Sequence, residues 1–157
     1  MQKITPFLWF DTQAEEAVRF YLSVFKDGEI HTTTRYPEDG PGAPGTVMTI
    51  AFELNGQQFV ALNGGPGVPF TNAVSLVVNC DSQEEIDYFW EKLAADGGEH
   101  NVCGWLKDKF GMPWQIVPSQ VWDWLNGDDP GKVKRVTAAV WQMEKLDLAA
   151  LERAAES

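Results

Sequence analysis

Two stretches of the chain share one rhythm of apolar and polar positions. From Ile4 to Phe10 an apolar run of strand length ends at Asp11. After it, Ala14, Ala17, Val18, Tyr21, Leu22 and Phe25 recur at the i, i+3, i+4, i+7 spacing of a helix with one buried stripe. From Val74 to Val78 a second such run leads to Asp81, and Ile86, Phe89, Trp90, Leu93 and Ala94 repeat the helical stripe. Thr12-x-x-Glu15 and Ser82-x-x-Glu85 stand where each helix begins. Both fit the capping box, in which a hydroxyl and a carboxylate satisfy the free amide donors of a first turn. Gly28 and Gly97 are expected to stop the two helices. Asp11-Thr12-Gln13 aligns with Asp81-Ser82-Gln83, Phe20-Tyr21 with Phe89-Trp90, and Asp27-Gly28 with Asp96-Gly97, so the chain repeats itself roughly 70 residues apart.

Strands follow each helix. Glu29 to Tyr36 is rich in β-branched residues, Thr46 to Leu54 partly alternates, and Asn55-Gly56 predicts a tight hairpin into Gln58 to Leu62. The second copy compresses the order into His100 to Lys109, a turn at Phe110-Gly111, and Pro113 to Pro118. The predicted fold class is therefore α+β: one domain over 1–157, with a βαβββ module at 1–66, a shortened one at 70–118, and C-terminal helices over 119–157. Val121, Trp122 and Leu125 mark one or two helical turns. Val133, Val136, Thr137 and Val140 mark a helix after Pro130, and Leu148, Leu151 and Ala155 a last one. These short helices read as packing or dimerisation elements, because apolar stripes on short helices need a partner surface.

Composition narrows the partners. Twelve Lys and Arg against twenty-three Asp and Glu give a net charge of -11, which repels phosphate backbones and anionic lipid heads, so neither nucleic acid nor a membrane is an expected partner. The five-residue apolar run from Pro6 to Phe10, preceded by Lys3 and closed by Asp11, predicts neither signal peptide nor membrane span, and the expected location is cytoplasmic. Two cysteines, Cys80 and Cys103, read as reduced thiols rather than a disulfide framework.

Few residues advertise chemistry. Gly40-Pro41-Gly42-Ala43-Pro44-Gly45 satisfies G-x-G-x-x-G in letters, but two of its residues lack N–H groups and a strand follows it instead of a helix, which reads as a loop. Asn63-Gly64-Gly65-Pro66-Gly67 either connects modules or brings backbone close to a ligand. His31 sits among threonines, and His100 lies three residues from Cys103 on the opposite side of any strand, so no local Cys-His pair forms. Cys103 reads as a small buried hydrophobe or a nucleophile, and Glu16, Asp87 and Glu91 as solvated helix faces. The segment Cys103 to Val117 is denser: two tryptophans and a glutamine on neighbouring strands can line an apolar cavity with one polar anchor, or form a sheet core with a wet edge.

On these residues the chain resembles the vicinal oxygen chelate superfamily (glyoxalase/bleomycin resistance/dioxygenase), and within it the PhnB-like, 3-demethylubiquinone-9 3-methyltransferase-like branch. Ile4-Thr5-Pro6-Phe7-Leu8-Trp9-Phe10-Asp11 with Ala14 to Ala17 is similar to the family's opening. Leu62-Asn63-Gly64-Gly65-Pro66 resembles its mid-chain turn, and Asp108-Lys109-Phe110-Gly111-Met112-Pro113-Trp114-Gln115 its last hairpin; the tail from Gln142 to Glu152 resembles its C-terminal helix. The resemblance implies paired βαβββ modules forming a curved mixed sheet around a cavity, usually in a homodimer.

Metal-using members carry His or Glu on the first and last strands of each module. The matching positions here are Pro6 or Thr5, Ala61, Val74 and Gln115, which offer one neutral amide in place of several ligands. No metal and no cofactor is therefore expected. Methyl transfer finds no support either, since no glycine loop follows the first strand. The ligand pocket is expected to draw on Trp9, Phe59, Ala61, Asn63, Val74, Leu76, Cys103, Trp105, Trp114 and Gln115, with Asn63 and Gln115 as polar anchors and the tryptophans as surfaces for a flat molecule. Three readings compete: a metal-independent binding protein for a small molecule, a metal-free enzyme acting on a small aromatic or quinone-like substrate, and a metalloenzyme with unorthodox ligands such as His31.

Overall fold

The structure is a computed structural model that describes residues 2–157, and it divides into two compact units, one ending at Phe70 and one from Thr71 to Ser157. The first contains β1 (Phe7–Phe10), α1 (Ala14–Val24), β2 (Gly28–Arg35), β3 (Val47–Leu54) and β4 (Gln57–Asn63). Its four strands lie in the order β1-β4-β3-β2, with β1 parallel to β4 and the other neighbours antiparallel. The second contains β5 (Leu76–Cys80), α2 (Gln83–Leu93), β6 (Glu99–His100), β7 (Trp105–Lys107) and β8 (Pro113–Pro118), in the order β5-β8-β7-β6 with β5 parallel to β8. The predicted βαβββ repeat is therefore present twice, as two mixed four-stranded sheets. Three helices follow: α3 (Gln120–Leu125), α4 (Pro130–Trp141) and α5 (Leu148–Glu156).

Each sheet has one face against its helix. In the first unit α1 packs on β3 and β4, and Leu8, Phe10, Ile50, Phe52, Phe59 and Ala61 are buried there with Ala17, Val18 and Tyr21. Phe52 stacks between Tyr21 and Phe59, at centroid distances of 6.5 and 5.3 Å. In the second unit α2 packs on β5, β7 and β8, burying Leu106, Trp114 and Ile116 with Ile86, Trp90 and Leu93. The predicted hairpin turn forms, Asn55 and Gly56 both taking positive φ.

The two helix starts differ. Ser82 Oγ accepts from Glu85 N at 3.2 Å, as the second capping box predicts. At α1 the first box does not form: the N-cap is Gln13, without a side-chain bond, and the amide of Ala14 instead donates to Asn63 Oδ1 at 2.8 Å. A distant amide side chain has taken over the role of Thr12. The expected glycine stops also fall elsewhere. Helix α1 ends at Val24 with Phe25 extended, and α2 ends at Leu93. Gly28 lies in β2, where a Cβ would overlap the carbonyl of Glu53, so its requirement is steric and not a matter of helix ending.

The C-terminal helices form where the periodicity predicts them, with Asp129 and Asp147 as N-caps accepting backbone amides. They share a core: Val121, Val136, Leu146, Leu151 and Ala155 pack together with Val117 of β8. The apolar stripes that suggested a dimer interface are thus satisfied within the chain. Helix α2 clamps the extension from the side. Gln83 Nε2 donates to Leu146 O at 3.1 Å, Gln83 Oε1 accepts from Leu148 N at 2.8 Å, and Lys145 Nζ lies 2.8 Å from Asp87 Oδ1.

Candidate functional site

Strand register decides which side chains can meet a ligand, since partners directly opposite share a face and neighbours along a strand do not. In the first unit Leu8 is opposite Ala61, and Phe59 opposite Phe52. Phe59 and Ala61 therefore belong to the helix-covered core and not to a pocket wall. The open face carries Phe7, Trp9, Val60 and Leu62: Trp9 lies on it as expected, and Val60 and Leu62 stand there in place of Phe59 and Ala61. In the second unit Trp114 pairs with Leu106 and Leu76, on the helix side, while Gln115 pairs with Trp105 and Val77 on the open side. Trp114 is 3% exposed, so it is core; Leu76 shares its face. Val74 precedes β5 and is exposed, outside any strand.

The two expected polar anchors have different fates. Asn63 spends its side chain inside its own unit: Oδ1 caps α1 at Ala14 N, and Nδ2 donates to Val47 O at 3.1 Å. The turn around it is equally committed. Tyr36 Oη donates to Asn63 O, Gly64 N to Phe10 O, and Trp9 Nε1 to Gly65 O at 2.9 Å. A Cβ on Gly64 would overlap the Trp9 ring, so the glycine is there for the indole and not for a ligand. This corner is a lock. Gln115 is different. Its Nε2 donates to Ser75 Oγ at 2.9 Å, and its Oε1 takes no protein hydrogen among the described residues.

Gln115 and Trp105 stand at the floor of a cavity of about 210 Å³ within the second unit, with Cys103 and Val117 beside them. The remaining wall comes from helices α3 and α4, with Val121, Trp122, Leu125, Thr137, Val140 and Trp141, and from Leu146 in the connection to α5. A second hollow of about 270 Å³ shares Cys103 and Trp105 and runs past Asn72, Asn101 and Lys107. Its polar lining is Asn72, Asn101 and Lys107, and among the described residues no second side chain fixes either amide as Ser75 fixes that of Gln115. Of the ten expected pocket residues, the structure brings Cys103, Trp105 and Gln115 together in one cavity. The helix residues that complete it were missed because their stripes, Trp122 included, read as packing, and Trp141 carries no signal in the sequence.

The loop before β7 holds the extension in place. Cys103 N donates to Met143 O at 2.7 Å and Gly104 N to Glu144 O at 2.8 Å. Both residues have positive φ, and a Cβ on Gly104 would fall 2.8 Å from Ile116 O and 3.1 Å from Leu146 Cγ. Beyond the loop, Asp108 fixes the β7–β8 turn. It is buried and accepts from Phe110 N (2.9 Å), Met112 N (3.0 Å) and Trp114 Nε1 (2.9 Å). Three donors to one carboxylate balance the cost of burying its charge.

Other titratable groups are spent elsewhere. Cys80 is buried in the α2 core, and burial, aided by Glu85 and Asp81, pushes its thiol up to about 12, which leaves it unreactive. His100 stacks on Trp90 with centroids 4.3 Å apart, its Nε2 2.8 Å from Trp90 O. His31 lies at the bulge of β2, Nδ1 3.8 Å from Glu29 and Nε2 3.7 Å from Glu53. Its two carboxylates sit at opposite ring nitrogens, so one ion could not meet all three.

The donor set does not fit a divalent metal. Among the described residues no group of three or more His, Cys, Asp or Glu side chains gathers at a common point. Of Pro6, Ala61, Val74 and Gln115, the positions that match the ligands of metal-using relatives, only Gln115 has a side-chain lone pair, and the carboxylates on the open face of the first sheet, Glu29 and Glu53, sit at opposite ring nitrogens of His31. No helix among the described residues is long and apolar enough to cross a membrane.

Comparison with known proteins places this architecture. The profile of a family described as 3-demethylubiquinone-9 3-methyltransferase matches residues 2–117. A structure described as a putative 3-demethylubiquinone-9 3-methyltransferase, PhnB protein, from Bacillus cereus is 43% identical with a TM-score of 0.67, over 74% of this chain and 99% of that one. A protein from Pseudomonas aeruginosa shares the fold at 20% identity and TM-score 0.61, covering 75% of this chain and 98% of its own. So does the fosfomycin resistance protein FosX from Listeria monocytogenes, in complex with Mn(II) and sulfate, at 15% identity and TM-score 0.52, over 74% and 92%. No functionally curated protein matches.

Proposed function

We propose that this chain, which belongs to the 3-demethylubiquinone-9 3-methyltransferase (PhnB) family with the glyoxalase/bleomycin resistance-like fold, is a metal-independent binding protein for a small, partly apolar molecule. The ligand sits on the open face of the second sheet. The observation that carries this reading is Gln115: one end of its amide is fixed by Ser75, the other is free, and it shares an otherwise apolar cavity with Trp105. An apolar enclosure with one oriented polar group is the usual composition of a small-molecule site, and about 210 Å³ is below the roughly 300–1,000 Å³ of drug-sized pockets. The molecule is therefore small.

Neither methyl transfer nor Lewis-acid chemistry is part of this proposal. The turn after β1 is closed by Gly64, Gly65 and Asn63 and offers no glycine-rich cradle, and of the four positions Pro6, Ala61, Val74 and Gln115 only the amide offers a side-chain lone pair. The homodimer implied by the family resemblance belongs to the same proposal, and light scattering at micromolar concentration should give twice the chain mass of 17.5 kDa. Native mass spectrometry of freshly purified protein, with thermal unfolding before and after extraction of whatever is bound, tests the function. The expected result is a non-covalent adduct whose removal lowers Tm and whose retention is indifferent to excess chelator. An adduct lost to chelator, or tightly held stoichiometric metal, would contradict the proposal.

A further inference from the structure

More than half of the cavity wall lies outside the matched region, as does the tail from Gln142 to Glu152, so the expected likeness of that tail to the family's C-terminal helix is not carried by the family match. The family profile ends at residue 117, and the Bacillus cereus structure is matched over 99% of its own length by 74% of this chain. Cys103, Trp105, Gln115 and Val117 belong to that shared part; Trp122, Val140, Trp141 and the other helical wall residues lie beyond it. The added wall is held to a definite position. Two backbone bonds tie Met143 and Glu144 to the Cys103-Gly104 turn, Gln83 grips Leu146 and Leu148, and Trp122 Nε1 donates to Asn79 Oδ1 at 2.7 Å, which orients that ring beside β5. Trp141 remains 67% exposed although its helix has a buried face available. Thr137 and Gln115 aside, the polar content is slight, and no Lys, Arg, Asp or Glu lines the cavity of a chain with net charge -11.

Resting on the function proposed above, we infer that the C-terminal extension is the specificity element of this site, and that it selects an uncharged planar ring carrying a hydroxyl or N–H. Indole surfaces favour a flat π system over an aliphatic one of equal area, and the ring would lie among Trp105, Trp122 and Trp141. The free Oε1 of Gln115 accepts, so the matching ligand atom donates. An anion would be desolvated against apolar walls with no cation to meet it, inside a field of its own sign, and is excluded. The site thus reads ring shape through the indoles of the extension, hydrogen bonding through the sheet, and charge through a wall without ionisable groups.

Three naphthalenes separate these elements by calorimetric titration of the full chain: 2-naphthol, neutral with one donor; naphthalene, neutral with none; and 2-naphthoate, the same rings with a negative charge. The wild type is expected to bind 2-naphthol, naphthalene several-fold more weakly, and 2-naphthoate at least about tenfold more weakly. Trp141→Ala, at an exposed position that should leave Tm unchanged, is expected to weaken 2-naphthol about fivefold to tenfold. Gln115→Leu should make 2-naphthol no better than naphthalene. If Gln115→Leu loses 2-naphthol while Trp141→Ala keeps it, the open-face site stands and the role of the extension falls. Affinity for 2-naphthoate equal to that for naphthalene, which likewise has no donor, overturns the charge selection. If an adduct is found by mass spectrometry but none of the three probes binds, the ligand class inferred here is wrong while the binding function survives; 2-naphthol binding that neither variant disturbs overturns both.

Discussion

The two modules are built to one βαβββ plan and spend their polar side chains in opposite ways. At the end of β4, Asn63 gives both ends of its amide to the backbone of its own unit, and Trp9 gives its indole N–H to the same corner. At the middle of β8, Gln115 gives one end to Ser75 and keeps the other. Both residues look alike in sequence: an uncharged amide on a strand next to glycine or tryptophan. What separates them is the remaining hydrogen-bonding capacity: both ends of the Asn63 amide have backbone partners, whereas Gln115 Oε1 has none among the described residues. A repeated fold therefore does not repeat a site. The second copy has also acquired helices that fold onto its β8, while the first has a locked turn.

The strongest way to break this comparison is at Asp108. If its role is to hold the β7–β8 turn, Asp108→Ala strands two buried donors and one half-buried one and should destabilise the chain by about 3–5 kcal/mol in denaturant unfolding. A loss under about 1 kcal/mol would mean the turn holds itself. Gly104→Ala comes next, because φ is +80° there and the added carbon meets Ile116 O. A loss of about 2–3 kcal/mol, with 2-naphthol affinity lowered as the extension shifts, is expected. Asn63→Ala should cost about 1–2 kcal/mol through the lost cap and leave ligand affinity where it was. Changed affinity with unchanged stability would reverse the assignment of the two amides.

The smallest effect is electrostatic. Bonds from Lys145 and Gln83 hold the Asp87 carboxyl below its ordinary value. A lowered folded-state pKa means the stabilisation is complete above the unfolded value of about 4 and is lost as pH falls through the folded one. The pair is solvent-exposed, so its worth is a few tenths of a kcal/mol. Asp87→Asn should flatten the acid limb of the stability curve slightly, and raised salt should mimic it in the wild type.

Much of this was legible in the sequence, for local reasons. The repeat showed because Ser82 and Glu85, and the helical stripes after them, act over a few residues. The tail helices showed because Pro130 and the apolar spacing act locally too. Strand facing did not show. Phe59, Val60, Ala61 and Leu62 are all apolar, as are Leu76, Val77 and Val78, so alternation carries no information about which side meets the helix, and a one-residue offset moved Phe59, Ala61, Leu76 and Trp114 to the wrong face. The role of Asn63 was hidden because the amide it caps lies 49 residues away. Trp122 reads in the sequence as part of a packing stripe and Trp141 carries no signal there, because a buried stripe identifies the side of a helix that packs and says nothing about what the rim does.

Seven tryptophans make the central claim directly measurable. Each indole N–H gives one resonance in a ¹⁵N–¹H spectrum, and titration with 2-naphthol reports where it binds. The account predicts that Trp105, Trp122 and Trp141 shift together, while Trp9, bonded to Gly65, and Trp114, bonded to Asp108, stay in place. Movement of Trp9 with a silent Trp105 would put the ligand on the first module and contradict it.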